Sequence, residues 1–262
     1  MRAVVRFIKW QIQSRLVDHV QFDWIDGTRL IVERGMTGAT GNIYCGLHEY
    51  EDMSFILHAL RPDDLFVDVG ANIGSYTILA SGVCGSDSVS IEPDPETAGR
   101  LRRNVQANHL ESNVTVVETA VGAEIGTISF TVGKDTTNQV ADETDVDVRT
   151  VALATLDHVL RGMAPTIIKM DVEGFETEAL KGAVQTLEKS SLLAIETETV
   201  DAAALAILNR AGFRQYRYNP QTRSLVETST ATSSNSLFLR DVQNVRERLI
   251  SAPRRLYRGI EV

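Results

Sequence analysis

The sequence predicts an α/β protein, a mostly parallel sheet with helices on both faces, preceded by a helix-and-hairpin extension. Two observations carry this. Short apolar runs at 65–69, 88–91, 114–117, 166–170 and 192–195 are separated by longer stretches, and helical periodicity follows the first, second, fourth and fifth. Such alternation is the pattern of strands buried on both faces and joined by crossover helices. Pro62, in Arg61-Pro62-Asp63-Asp64, disfavours helical geometry at Arg61 and marks where this alternation begins. The expected division is an extension over 1–60, a main domain over 61–240 and a basic tail over 241–262.

Taken in order, residues 1–17 place Val4, Val5, Ile8, Ile12 and Leu16 at near-helical spacing among Arg2, Arg6, Lys9 and Arg15, an amphipathic helix. Val20, Phe22 and Trp24 then alternate with polar residues, and Leu30 and Val32 resume after Asp26-Gly27. That dipeptide accepts the positive φ angles of a tight hairpin turn. After a Gly-rich stretch, residues 48–60 read as a helix. Between the third and fourth runs, 126–132 and 148–151 read as additional strands around a polar loop at 134–147. This insertion lies beside the carboxyl edge of the sheet, where it can cover a substrate. Residues 177–187 read as a helix, and 229–236 as a Ser/Thr-rich loop.

Charge narrows the function classes. Hydrophobic residues make up 43% and charged residues 23%, as in ordinary globular domains. A net charge of -9 argues against general nucleic-acid binding, which needs a basic face. The ends differ from the middle: residues 1–15 hold four cations and no acid, and residues 240–262 hold six arginines against three acids. These basic ends admit peripheral contact with an anionic membrane surface or packing in a homodimer. No apolar stretch approaches the roughly 18 residues of a membrane span, and Arg6 and Lys9 interrupt the core a signal peptide would need. Cys45 and Cys84 form no zinc spacing. The expected location is cytoplasmic.

Ligands of such sheets bind beyond the carboxyl ends of the strands. The first strand runs into Asp68-Val69-Gly70-Ala71-Asn72-Ile73-Gly74, and a helix begins at Ser75 or Tyr76. Gly70 and Gly74 can take unusual φ angles and let the backbone approach a ligand, while the helix start offers free N–H donors. Glu92, followed by Pro93, ends the second strand 24 residues beyond Asp68, near the spacing of roughly 20 at which an acid accepts from ribose hydroxyls. The turn lacks the G-x-G-x-x-G of dinucleotide sites, and no phosphate-binding P-loop is present. A nucleoside without phosphates, S-adenosylmethionine (SAM), fits best, with Asp68 suited to its ammonium. Glu118-Thr119-Ala120, at the third strand end, could hold the adenine amine.

The fourth strand delivers Lys169-Met170-Asp171-Val172-Glu173-Gly174-Phe175-Glu176, and the fifth Glu196-Thr197-Glu198. Acids here could simply cap a helix. A lysine inside an apolar strand, however, is costly unless partnered, and Asp171 shares its face.

At these residues the chain resembles the FkbM family of SAM-dependent methyltransferases. The matching segments are 66–77, Ile91-Glu92-Pro93-Asp94-Pro95, Asn104-Val105-Gln106-Ala107-Asn108, Thr155-Leu156-Asp157 and Ile168 to Glu176. The resemblance covers about residues 45 to 240. It implies a class I methyltransferase (Rossmann-like) fold whose last strand is antiparallel, a part residues 235–240 would supply. It also implies methylation of hydroxyls, on sugars of glycans or on secondary metabolites. The expected mechanism has Asp171 as base, Lys169 orienting it and Glu196 as a second carboxylate. A magnesium ion between Asp171 and Glu196 is a further option. His48 is a weaker candidate base. A polyketide acceptor and a nicotinamide-dependent oxidoreductase are the alternative readings.

Overall fold

The computed structural model describes residues 10–34, 36–131, 148–198, 200–228, 235–257 and 260–261. The loop expected at 134–147, the first nine residues of the N-terminal helix and most of the Ser/Thr-rich loop lie outside them.

Residues 10–16 form helix α1. A hairpin follows from β1 (His19–Asp23) and β2 (Arg29–Glu33), then α2 (Thr37–Cys45) and α3 (Tyr50–Ala59). The main domain begins with β3 (Leu65–Val69), α4 (Ser75–Thr77, continuing as a π-helical stretch Ile78–Val83), β4 (Asp87–Ile91), α5 (Pro95–Ala107) and β5 (Val114–Val117). Next come β6 (Ala120–Val121), β7 (Gly126–Thr131), β8 (Val148–Ala154), α6 (Leu156–Leu160), β9 (Ile167–Met170), α7 (Glu176–Lys181) and α8 (Val184–Leu187). The chain continues through β10 (Ala194–Thr197), α9 (Ala202–Arg210), β11 (Arg214–Asn219), β12 (Ser224–Glu227), β13 (Ser236–Leu239) and α10 (Val242–Ser251), ending in a small ladder, β14 (Leu256–Tyr257) with β15 (Ile260–Glu261).

The eight-stranded sheet has the order β12-β11-β13-β10-β9-β3-β4-β5. β5, β4, β3, β9 and β10 are mutually parallel, and β13 inserts antiparallel between β10 and β11. The predicted antiparallel last strand is therefore present. One face packs Phe66, Ile167, Ala194 and Leu239 against α3, the α4 stretch and α10. The other packs Val67, Ile168, Ile195 and Phe238 with Leu156, Leu180, Leu187 and Leu208 of α6 to α9. Helices cover both faces, as the sequence predicts.

Several local expectations change. Asp26 and Gly27 do take positive φ, 48° and 82°, but the turn spans 24–28 rather than two residues. Trp24 leaves the strand because its indole N–H donates to the Gly46 carbonyl at 2.6 Å. The Gly-rich stretch is the helix α2, whose Ala39 and Ile43 bury against Trp10, Val20 and Val32. The helix expected over 177–187 breaks at Gly182, where a Cβ would lie 2.0 Å from the Gly122 carbonyl oxygen. Within the basic C-terminal segment, α10 docks Val245 and Leu249 into the core, and Arg248 pairs with Asp64. β11 and β12 were not legible because their alternating Tyr216 and Tyr218 sit among polar residues.

Strand register prepares the site. Ser90, Asp68, Lys169 and Glu196 are consecutive neighbours across β4, β3, β9 and β10. Their side chains therefore share one face, in a buried polar row.

Candidate active site

A cavity of about 270 Å³ opens at the carboxyl ends of β3, β4 and β9. Its floor is the turn after β3. Gly70 (φ 79°) and Ala71 both donate their N–H to the Ile91 carbonyl at 3.0 Å. A Cβ on Gly70 would fall 1.9 Å from the Asp171 carbonyl oxygen, so only glycine lets the β3 turn and the β9 exit touch. Asn72 (φ 50°) steadies its own left-handed geometry by accepting the Ile73 N–H at 2.7 Å. Gly74 (φ 91°) leaves room for Leu101, whose Cδ1 would lie 2.4 Å from an added Cβ. Ser75 accepts from the Asn42 amide at 3.3 Å, which ties α4 to α2.

Glu92 lines the cavity and is 7% exposed. Its two oxygens accept the backbone N–H groups of Asn72 at 2.9 Å and Asp94 at 3.0 Å. A carboxylate has about four acceptor positions, so this anchoring fixes its orientation while leaving capacity for hydroxyl donors. Burial pushes it up to about 7, against the two backbone donors. Asp68 accepts from the Thr77 hydroxyl at 2.7 Å, and burial lifts it to about 6 although Lys169 pulls the other way. Pro93, Thr119 and Ala120 also line the cavity. Glu118 does not: its carboxylate is turned to the Arg102 guanidinium.

β9 and its exit supply the next residues of the cavity. Lys169, 2% exposed, places its ammonium 2.8 Å from the Asp171 carboxylate and 4.6 Å from the centre of the Tyr76 ring. Burial opposes its charge, but Asp171, Glu196, Glu49 and Asp68 outweigh that and hold it firmly protonated. It therefore has no lone pair with which to act as a base. Asp171 is half-buried and lines the cavity.

Glu196 does not line the main cavity; it borders a small second one with Asp52 and Asn235. One Glu196 oxygen accepts from the Asn235 amide at 2.9 Å, and the other has no hydrogen-bond partner among the described residues. Burial, followed by repulsion from Asp52, raises Glu196 well above the usual carboxylate range. Asp52 is pushed up to about 7 by burial and then by Glu49. The pairing of Asp171 with Glu196 around a metal remains an expectation from the sequence, and Glu196 is absent from the main cavity lining. Among the described residues, Asp171, Glu173 and Glu198 bring ligand atoms within 4.8 Å of one another.

Asn42, His48, Glu49 and Met53 also line the cavity from the extension. Of these only His48 was weighed from the sequence. The acidic run Glu49-Tyr50-Glu51-Asp52 was a signal that could have found Glu49, whose carboxylate accepts the Tyr76 hydroxyl at 2.8 Å. Phe130 of β7 lines the cavity too, so the small sheet β6-β8-β7 contributes a wall.

A five-stranded parallel core with an antiparallel strand inserted at one side and a glycine turn after its first strand is the fold of class I SAM-dependent methyltransferases. The sequence matches the family described as the methyltransferase FkbM domain over residues 68–215, and the chain belongs to that family. It is similar to the hexuronic acid methyltransferase AglP of Haloferax volcanii, 27% identical over 151 residues. That match spans 56% of this chain and 62% of the relative's length. Among solved structures, the precorrin-6y C5,15-methyltransferase of Geobacter metallireducens covers 73% of this chain and 86% of its own at 15% identity, with a TM-score of 0.43. An RNA methyltransferase of Salinibacter ruber bound to S-adenosyl-L-homocysteine covers 72% and 87% at 14% identity, with a TM-score of 0.37. Among the described residues no helix is long and apolar enough to cross a membrane.

Proposed function

We propose that the protein transfers a methyl group from SAM to a hydroxyl of a sugar, in a glycan or glycosylated metabolite. The observation that carries this is the half-buried Asp171 carboxylate, oriented by Lys169 and lining the same cavity as the glycine turn. The relative's name, a methyltransferase of a sugar acid, supports a sugar acceptor; a polyketide hydroxyl is the second reading. The oxidoreductase alternative gives way to the family match.

The residues present fit a nucleoside donor. Gly70, Asn72, Gly74 and Ser75 would hold its amino-acid tail with Asp68, Glu92 beside Pro93 would take the ribose hydroxyls, and Thr119 and Ala120 would border the adenine. When bound, SAM supplies a methyl group on a sulfonium whose positive charge disappears on transfer. A sugar hydroxyl is weakly acidic, so the chain must take its proton as the oxygen–carbon bond forms. Asp171 is the acceptor of that proton, and Lys169 orients Asp171. Alignment of the reactants in the cavity supplies much of the remaining acceleration. Glu196 lies outside this cavity lining, held by the Asn235 amide, and no step requires it to touch substrate.

A divalent ion, if used, would sit on Asp171, Glu173 and Glu198, whose oxygen donors suit magnesium. Cytoplasmic placement rests on the interrupted N-terminal apolar stretch and the unpaired cysteine pattern, and contact of the basic ends with a membrane surface or a second copy rests on the charge distribution. A mass-spectrometric screen of sugars and glycosylated metabolites with SAM tests the proposal. A gain of one methylene in mass on a sugar is expected; methylation confined to non-sugar hydroxyls would reject the acceptor.

A further inference from the structure

We infer that the acceptor is an uncharged or amino-bearing sugar, and that the acceptor wall discriminates against a uronate. This rests on the reading of the cavity as a methyl-transfer site. Four carboxylates, Glu49, Asp171, Glu173 and Glu198, line the cavity in addition to Asp68 and Glu92. Among the described residues, Lys169 contributes the one ammonium or guanidinium to the lining, and its side chain is 3% exposed. That charge is already committed, to Asp171 at 2.8 Å and to the Tyr76 ring at 4.6 Å. Nearby Arg149 does not line the cavity and is engaged by Asp94 at 2.9 Å and Glu96 at 3.3 Å.

The acids crowd one another. Oxygens of Asp171, Glu173 and Glu198 lie within 4.8 Å of one another. Recognition of a sugar carboxylate calls for an unengaged arginine fork or lysine. This wall offers acceptors instead. Sugar hydroxyls donate to carboxylates, an ammonium gains attraction, and a uronate adds another like charge to the same space. In this respect the site departs from what the relative's name says of its acceptor.

The test uses the full chain, SAM labelled in its methyl group, and matched nitrophenyl glucoside, glucosaminide and glucuronide. Transfer is read by mass spectrometry, and binding to the protein saturated with S-adenosylhomocysteine by ligand-observed NMR, each with EDTA and with Mg²⁺. The glucuronide should be at least about tenfold poorer than the glucoside, since like-charge contacts discriminate by that order or more. In a Glu173→Gln, Glu198→Gln variant that gap should narrow several-fold with SAM affinity retained. A glucuronide equal or superior to the glucoside, with or without Mg²⁺, overturns the inference. So does an unchanged ratio in the variant, or identical behaviour of all three sugars, including binding by none. Calorimetry with SAM keeps the two readings apart: absence of SAM binding rejects methyl transfer itself, whereas SAM binding with a uronate preference rejects only the charge selectivity.

Discussion

The Lys169 ammonium sits 2.8 Å from the Asp171 carboxylate, two residues along the same strand exit, and is buried while its partner reaches the cavity. The pair thus has a fixed end and a working end. Lys169→Met should lower kcat by roughly 10- to 100-fold, less than the roughly 100- to 10,000-fold that a positioned acid–base group itself contributes, with a much smaller change in the KM for SAM. Lys169→Arg should recover part of the loss. Equal effects on kcat and KM, seen in steady-state kinetics, would assign Lys169 a merely structural role.

Gly70 and Gly174 separate two kinds of glycine requirement. Both have positive φ, 79° and 88°, but an added Cβ at Gly70 meets the Asp171 carbonyl at 1.9 Å while at Gly174 nothing lies within 4 Å. Gly174→Ala should cost about 1 kcal/mol through φ strain alone. Gly70→Ala should cost more than about 3 kcal/mol and weaken SAM binding at least tenfold, because the turn must move. Matching melting temperatures for the two variants would contradict the close approach.

Glu92 ties donor binding to protons. Burial lifts it to about 7 in the free protein, and ribose hydroxyls donate best to its ionised form. Binding should therefore release protons below neutrality, so SAM affinity rises with pH up to about 7 and then levels off. Calorimetry in buffers of different ionisation enthalpy measures this. Glu92→Gln should bind weakly and without pH dependence, and a wild-type pH profile in that variant would remove Glu92 from the ribose role.

The Glu196 and Asp52 pair predicts the pH dependence of stability. Both carboxyls are raised above their usual values, Asp52 to about 7. Stability from the protonated forms is complete below the ordinary carboxylate range and is lost as pH rises through the raised values. Glu196→Gln removes one of these groups. It should melt higher relative to the wild type at pH 8 than at pH 5, the difference shrinking as pH falls. A constant offset across that range in thermal melts would rule out the buried proton.

The donor half of the site was legible in the sequence because it is local. Gly70, Asn72 and Gly74 take positive φ within one turn, and Glu92 is one hydrogen bond from that turn. The acceptor half was less legible because tertiary packing assembles it. Glu49 and Met53 arrive from α3, and Asn42 from a helix whose glycines disguise it. Glu196 shared the strand face of Lys169 as expected, yet Asn235 draws it toward α3 and away from the cavity. Glu118 was displaced by a surface arginine that no strand-end pattern announces. The sheet was read from its apolar runs, whereas β11 and β12, half polar, were not.

The most direct test pairs SAM calorimetry with methyl transfer for Asp171→Asn, using whichever sugar acceptor the mass-spectrometric screen identifies. The substitution keeps the size of the side chain and a polar partner for Lys169 but cannot take up a hydroxyl proton. The variant should bind SAM within about threefold of the wild type and lose turnover by at least about 100-fold. Full turnover by the variant would contradict Asp171 as the base, and failure of the wild type to bind SAM would contradict the account at its root.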